Sequence, residues 1–180
     1  MRRLALLAVL CGCASAGTPE DTSSRPAAIF AADSRGSIMS DAARPLVATI
    51  PATPAVVWEV TKKIYAGMEV PITLDNPAAH QLGNTNFYKM RQMAGKPLQD
   101  LVNCGMGMDG PKAAKYRVFM SLVTNVSSDG KGGTTIQTTL LASGVDISAG
   151  AGSDRVQCGS SGVLEYLINE KVSAALAKGH

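Results

Sequence analysis

The stretch NCGMGMDG, residues 103–110, contains two arrangements of residues that could do chemistry. Gly105, Gly107 and Gly110 have the G-x-G-x-x-G spacing of loops that bind a dinucleotide pyrophosphate where a helix begins. Pro111 follows the third glycine, and only four more residues precede an alternating strand pattern. Four residues are too few for the helix of a parallel crossover. We therefore predict a glycine-permitted bend and no dinucleotide site.

The second arrangement is a group of soft metal ligands. Cys104, Met106 and Met108 place one thiol and two thioethers in the same loop, which suits Cu(I), and His80 could join them from another loop. Methionines mostly fill cores, however, and Cys104 has a potential partner in Cys158. We expect no resident metal and no cofactor.

No catalytic group for hydrolysis stands out. His80 lies in a polar loop, His180 lies at the end of the sequence, and no G-x-S-x-G motif occurs. Ser160 and Ser161 fit better as caps of a following helix. Aspartates at positions 75, 100, 109, 129, 146 and 154 lie mainly near predicted turns, which aspartate favours through its backbone hydrogen bonds. These patterns predict a protein that is not an enzyme.

The sequence opens with MRRLALLAVLCGCASAG, which has the layout of an export signal. Arg2 and Arg3 precede the apolar run 4–10, which is too short to span a bilayer. The following LCGC resembles the lipobox of bacterial lipoproteins, and Cys13 fits it better than Cys11.

This resemblance implies cleavage before Cys13, acyl chains on that residue, and a stable membrane anchor. Ala14 and Ser15 follow the cysteine in place of the aspartate that retains many lipoproteins at the inner membrane. The implied location is the bacterial outer membrane, facing the periplasm. The expected organisation is a signal peptide over 1–12, lipidated Cys13 with a flexible tether over 13–43, and one domain over 44–180.

Removal of residues 1–12 leaves 17 − 2 = 15 basic and 14 acidic residues, so the mature chain is nearly neutral. It therefore lacks the basic field that attracts nucleic acid. The mature chain also holds Cys104 and Cys158 in a compartment where disulfides persist. Their pairing would close a loop of about 55 residues and constrain the unfolded chain by about 4 kcal/mol. We predict this disulfide; two free or metal-binding thiols are the alternative.

Hydrophobic periodicity predicts two amphipathic helices. The first begins at Pro54 after the N-cap Thr53 and ends at Gly67. Its apolar arc comprises Val57, Val60, Ile64 and Met68, extended by Tyr65 and Trp58. The second runs from Ser160 or Ser161 to Lys178. Its expected buried residues are Leu164, Leu167, Ile168, Val172, Ala175 and Leu176, and its expected polar face carries Glu165, Asn169, Glu170 and Lys171.

Alternating apolar residues predict strands over 46–50, 70–74, 87–93, 116–126 and 134–142. Pro71 marks an edge strand, 75–85 form a loop, 96–103 could form a helical turn, and 127–133 turn the last two strands into a hairpin. Antiparallel strands with two amphipathic helices on one face give an α+β domain.

The element order over 45–180 resembles the helix-grip fold, in which a curved sheet wraps a long C-terminal helix. The segment 47–58, VATIPATPAVVW, resembles the strand-to-helix opening of START-type lipid-binding domains. BamC-type lipoproteins of the outer-membrane β-barrel assembly machine share this shape and the same anchoring. These resemblances imply a binding or scaffolding module with envelope proteins as partners, or a carrier of a small apolar ligand. Trp58 and Tyr65 are the candidate ligand-binding residues; core packing is their alternative role.

Overall fold

A computed structural model describes residues 46–148 and 154–178 of the chain. The predicted signal peptide, Cys13, the tether and His180 lie outside the described residues. The secondary structure elements are β1 (Leu46–Ile50), α1 (Pro54–Gly67), β2 (Leu74–Asn76), β3 (Gln81–Met90), β4 (Gln92–Met93), β5 (Lys96–Pro97), α2 (Leu98–Leu101), β6 (Val102–Asn103), β7 (Met106–Gly107), β8 (Gly110–Pro111), a 3-10 turn (Lys112–Ala114), β9 (Arg117–Ser128), β10 (Thr134–Val145), β11 (Val156–Ser160) and α3 (Val163–Ala177). None of the described helices is long and apolar enough to cross a membrane.

An antiparallel seven-stranded sheet forms the centre of the fold, and the predicted α+β class is confirmed. The strands follow the order β2-β3-β9-β10-β11-β6, and β1 pairs with β10 beside β11. The predicted hairpin is its longest part, since β9 and β10 pair over twelve residues each. Asp129 holds the turn, because its Oδ1 accepts hydrogen bonds from the backbone N–H groups of Lys131 and Gly133.

The hydrophobic core lies between the sheet and the helices α1 and α3, which contact each other and the strands β9, β10 and β1. Alternate residues of β9 and β10 point toward the helices, as period-two strands require. The buried members of this alternation are Val118, Met120, Leu122 and Val126 in β9 and Ile136, Leu140 and Ala142 in β10. The residues between these buried positions, among them Arg117 and Phe119, therefore lie on the opposite face of the sheet.

Helix α1 occupies the residues predicted for it, from Pro54 to Gly67. Its buried stripe consists of Val57, Thr61 and Tyr65, so a threonine that the apolar pattern omitted lies at its centre. The Thr61 hydroxyl donates to the carbonyl of Val57, which satisfies it inside the helix. Thr53 is the N-cap residue as predicted, although its side chain makes no capping hydrogen bond.

The predicted strand over 70–74 was wrong, and so was the loop over 75–85. Residues 70–73 have no strand structure; β2 begins only at Leu74, and β3 already begins at Gln81. The reason lies in the backbone partners of this segment. The N–H of Val70 donates to the carbonyl of Tyr65, and the side-chain amide of Asn84 donates to the carbonyl of Pro71. The first bond ties the start of the segment to the end of α1, and the second joins it to β3 through a side chain. Thr73, next to β2, donates its N–H to the carbonyl of Gly83 on β3.

The predicted disulfide is present. Cys104 and Cys158 are joined with an S–S distance of 2.02 Å, and the bridge links the end of β6 to β11. Gly144 lies beside it on β10: a Cβ atom at that residue would come within 3.4 Å of both sulfurs and 2.9 Å of the Tyr116 ring. The absence of a side chain at Gly144 therefore makes room for the bridge.

Candidate functional site

The glycine motif forms a hairpin in place of a phosphate-binding loop. Strand β7 pairs with β8 through Met106–Pro111 and Gly107–Gly110, and Gly105 and Gly110 have φ values of 84° and 110°. A 3-10 turn of three residues follows, so no helix begins on the third glycine. The loop lines a shallow surface cavity of about 350 Å³ together with Lys112, Lys115, Tyr116 and residues 146–148. Lys115 is paired with Asp109 of the same loop at 3.0 Å.

The soft ligands of this loop do not come together. The Cys104 sulfur is bonded to Cys158, which leaves no thiolate, and Met106 is 70% exposed. Met108 is fully exposed, and His80 lies exposed in the loop between β2 and β3. Among the described residues, no group of three or more histidine, cysteine or acidic side chains is arranged to hold a metal ion.

Tyr65 belongs to the core, whereas Trp58 lies at its margin. Tyr65 is fully buried, and its hydroxyl is 2.9 Å from the hydroxyl of Thr124 on β9. Thr124 in turn lies 2.9 Å from the hydroxyl of Thr138 on β10, so three hydroxyls form a buried chain from α1 across the sheet. Trp58 is half-buried and packs against the core, with the Lys62 ammonium 6.0 Å from its ring.

A second buried polar group lies on α3, where the sequence predicted a polar outer face. Glu165 and Asn169 are only 1% and 6% exposed, so their assignment to the solvent side was wrong. Ala175, predicted to be buried, is exposed. The stripe of Leu164 and Ile168 is buried as expected. Helix α3 packs against both α1 and the sheet, so two adjacent stripes of its surface are buried. One stripe contains Leu164 and Ile168, and the other contains Glu165 and Asn169.

The Glu165 carboxyl accepts one side-chain hydrogen bond. The Ser160 hydroxyl donates to its Oε1 at 2.6 Å, whereas its Oε2 has no hydrogen-bond partner. Ser160 also accepts the N–H of Gly162, and the Ser161 hydroxyl donates to the carbonyl of Leu101, so both serines hold the chain where α3 begins. Burial raises the pKa of Glu165 above its ordinary value, against the lowering effects of the Ser160 hydrogen bond and of the backbone N–H groups of Glu165 and Leu140. Burial likewise raises the pKa of the Tyr65 phenol.

Glu165→Gln should make the protein more stable at neutral pH. The pKa of Glu165 is higher in the folded state than its ordinary value of 4.5, so the protonated carboxyl stabilises the folded state at pH values below 4.5. This contribution to stability is lost as the pH rises through the folded-state pKa. Glutamine cannot ionise, so the advantage of the variant should grow above pH 4.5 by about 1.4 kcal/mol for each unit by which the pKa is raised. Urea unfolding between pH 4 and pH 8 measures this difference.

Glu170→Gln on the exposed side of α3 is the matched control, because it also removes one carboxylate from the helix. A Glu165→Gln variant whose stability runs parallel to that of the wild type over the whole pH range would contradict the assignment of a buried, proton-binding Glu165.

On the opposite face of the sheet, two arginines lie over two aromatic rings. The Arg117 guanidinium is 5.1 Å from the centre of the Tyr88 ring, and the Arg155 guanidinium is 4.5 Å from that of Phe119. The two rings are themselves 6.0 Å apart, on paired residues of β3 and β9. We call these four residues the aromatic–arginine surface. Tyr88 is 56% exposed, both arginines are exposed, and neither forms a salt bridge with a described residue.

This surface is missing from the sequence-based predictions, although the strand pattern of β9 contains part of the signal for it. Arg117 and Phe119 occupy the positions of β9 that alternate with the core residues, so their outward direction follows from the strand pattern. Arg155 gave no such signal, because it precedes β11, a strand that the sequence did not predict.

Comparison with models of known protein families and with curated proteins gives no match for this chain.

Proposed function

We propose that this protein is a non-catalytic, lipid-anchored module of the bacterial envelope that binds a partner protein through the aromatic–arginine surface. The observation that carries the proposal is the pair of exposed guanidinium groups stacked on Tyr88 and Phe119 without a salt bridge to any described residue. Arginine and tyrosine are enriched among residues that dominate binding energy in protein interfaces.

The chemistry of the surface favours an acidic polypeptide as the partner. A guanidinium group binds carboxylates with two parallel hydrogen bonds, and stacking on a ring holds its plane in place. The mature chain as a whole is nearly neutral, so its attraction to anionic lipid headgroups is weak. A local pair of oriented arginines therefore suits a few carboxylates on a protein better than a diffuse negative surface.

The closed polar core supports a non-catalytic role. Glu165 has the raised pKa and the unsatisfied oxygen that can mark an active site, but it is 1% exposed, and Tyr65 beside it is fully buried. A substrate would have no access to either group without movement of α3. The Glu165–Ser160 hydrogen bond is better suited to holding the start of that helix in place.

The helix-grip arrangement is part of the proposal. A curved antiparallel sheet packed against a long C-terminal helix would give one covered face and one free face. In this arrangement the covered face supplies stability through α1 and α3, and the free face is available to a partner while the anchor holds the protein at the membrane.

Replacing Cys13 by Ser should release the protein from the membrane. The proposed acyl chains are attached to that sulfur, and two or more chains hold a protein stably at a bilayer. Fractionation of cells should therefore find the wild type with the outer membrane and the Cys13→Ser variant in the soluble periplasm. A Cys11→Ser variant is the matched control and should remain anchored. Firm retention of the Cys13→Ser variant would contradict the anchor.

Site-specific photo-crosslinking in the native envelope tests the proposed binding surface. A photoreactive amino acid at Tyr88 should cross-link the protein to an acidic partner protein. The same residue at Tyr166 is the control, because Tyr166 lies on α3 with a similar exposure, 61% against 56%. Cross-links to the same protein from both positions, or none from Tyr88, would contradict binding through the sheet face.

The second candidate function is that of a carrier for a small apolar ligand between the sheet and α3. One observation favours it: buried polar side-chain atoms of Glu165 and Asn169 on α3 have no hydrogen-bond partner. A carrier would be purified with one molecule of an apolar compound bound, and a binding module would not.

A further inference from the structure

The β7–β8 hairpin exposes two methionine side chains. Met106 on β7 is 70% exposed, and Met108 in the turn between the strands is fully exposed. In contrast, the core methionines Met68, Met93 and Met120 are each no more than 3% exposed. The thioether sulfurs of the two hairpin residues are therefore open to dissolved reagents, whereas those of the three core residues are closed to them.

Neither exposed side chain belongs to the hydrophobic core or holds the hairpin together. The hairpin is held by the pairing of β7 with β8 and by the N–H of Lys112, which donates to the carbonyl of Gly105. The Asn103 side chain accepts the N–H of Gly105 and fixes the chain just before β7. A chemical change at either sulfur should therefore leave the fold intact.

We propose that Met106 and Met108 form a site of reversible methionine oxidation, and that the oxidant is a two-electron oxygen donor such as hypochlorous acid. The thioether sulfur loses two electrons and gains one oxygen atom, which makes it a sulfoxide. Hypochlorous acid is reduced to chloride, and its proton goes to the solvent. Methionine sulfoxide reductases reverse the step, one enzyme for each sulfoxide epimer. In the reverse step two thiols are oxidised to a disulfide, and the oxygen leaves as water.

The disulfide beside the hairpin does not compete for the oxidant. The sulfurs of Cys104 and Cys158 are already bonded to each other, and both residues are buried. Susceptibility to oxidation follows exposure and, for cysteine, the presence of a thiolate. The sulfur atoms next to the bridge that an oxidant can reach are therefore those of Met106 and Met108.

Oxidation changes the lining of the surface cavity beside the hairpin. Met108, Lys112 and Lys115 all line this cavity. A thioether is apolar and a weak acceptor, whereas a sulfoxide is polar and its oxygen accepts hydrogen bonds. Lys112 forms no salt bridge with a described residue, so its ammonium group is available as a donor to that oxygen. The site depends neither on the proposed anchor nor on the aromatic–arginine surface.

Peptide mass spectrometry after treatment with a limiting amount of hypochlorous acid tests the site. The full chain carrying Cys13→Ser is treated in the folded state, so that the protein stays in solution. Met106 and Met108 should each gain one oxygen atom about tenfold faster than Met68, Met93 and Met120, because oxidation follows exposure. In concentrated urea the rates should become similar. Equal rates in the folded protein, or no oxidation of the two hairpin residues, would overturn the proposal.

A second measurement tests whether the fold tolerates the modification and whether the modification is reversible. Thermal unfolding of the oxidised protein should match that of the untreated protein, and both sulfoxide reductases with a thiol should remove the added oxygen from Met106 and Met108. The double variant Met106→Leu with Met108→Leu, treated in the same way, is the matched control, because any change that it shows comes from other residues. A loss of stability specific to the wild type, or sulfoxides that the reductases do not repair, would overturn the proposal.

Discussion

Cys104→Ala and Cys158→Ala should each lower the free energy of unfolding by about 4 kcal/mol, and the double variant should lose no more than either single one. The bridge closes a loop with a sequence separation of 54 residues, and a cross-link of this length restricts the unfolded chain by about that amount. Both sulfurs are buried, and the bridge joins β11 to β6, whose pairing involves only two residues of each strand.

Urea unfolding with and without a reducing agent measures this effect. Reduction should bring the wild type down to the stability of the variants and leave the variants unchanged. Additive losses in the double variant, or clearly unequal losses in the single ones, would mean that the cysteines contribute through their packing and not through a common bond.

Reversing both charges of the aromatic–arginine surface should weaken partner binding by at least about tenfold, which corresponds to about 1.4 kcal/mol. Arg117→Glu with Arg155→Glu removes two donors to carboxylates and places two negative charges opposite an acidic partner. The yield of cross-links from a photoreactive residue at Tyr88 measures the loss. Both arginines are exposed, so thermal unfolding of the variant should remain close to that of the wild type.

Lys131→Glu with Lys171→Glu is the matched control for this experiment. It makes the same change in net charge at two exposed lysines, one in the β9–β10 turn and one on α3. An equal loss of cross-linking in both double variants would mean that overall charge governs the interaction. No loss in the arginine variant would contradict the proposed role of the surface.

Local patterns in the sequence predicted much of the framework. Strand β1, helix α1 and the long hairpin have periodic apolar residues along their whole length, bounded by Pro54, Gly67 or the 127–133 turn. The disulfide followed from the number of cysteines in the predicted mature chain and from the predicted export of the protein. A helix or strand whose apolar residues repeat regularly along its whole length can therefore be predicted from a single sequence.

The candidate sites depend on arrangements between elements, and this is why the sequence did not reveal them. Glu165 and Asn169 form a stripe beside Leu164 and Ile168, and a helical wheel cannot tell whether a second partner covers that stripe. Strand β11 contains a cysteine, a glycine and a serine in five residues, and it is held by β10 and by the bridge. Without this strand, Arg155 could not be placed beside Phe119.

Native mass spectrometry of the Cys13→Ser protein, exported and purified under mild conditions, tests most directly whether the protein acts through its surface or carries a ligand. For a binding module we expect the mass of the bare chain, lighter by two hydrogens than the reduced form because of the Cys104–Cys158 bond. A stoichiometric additional mass that leaves on mild activation would contradict it and would identify the protein as a carrier.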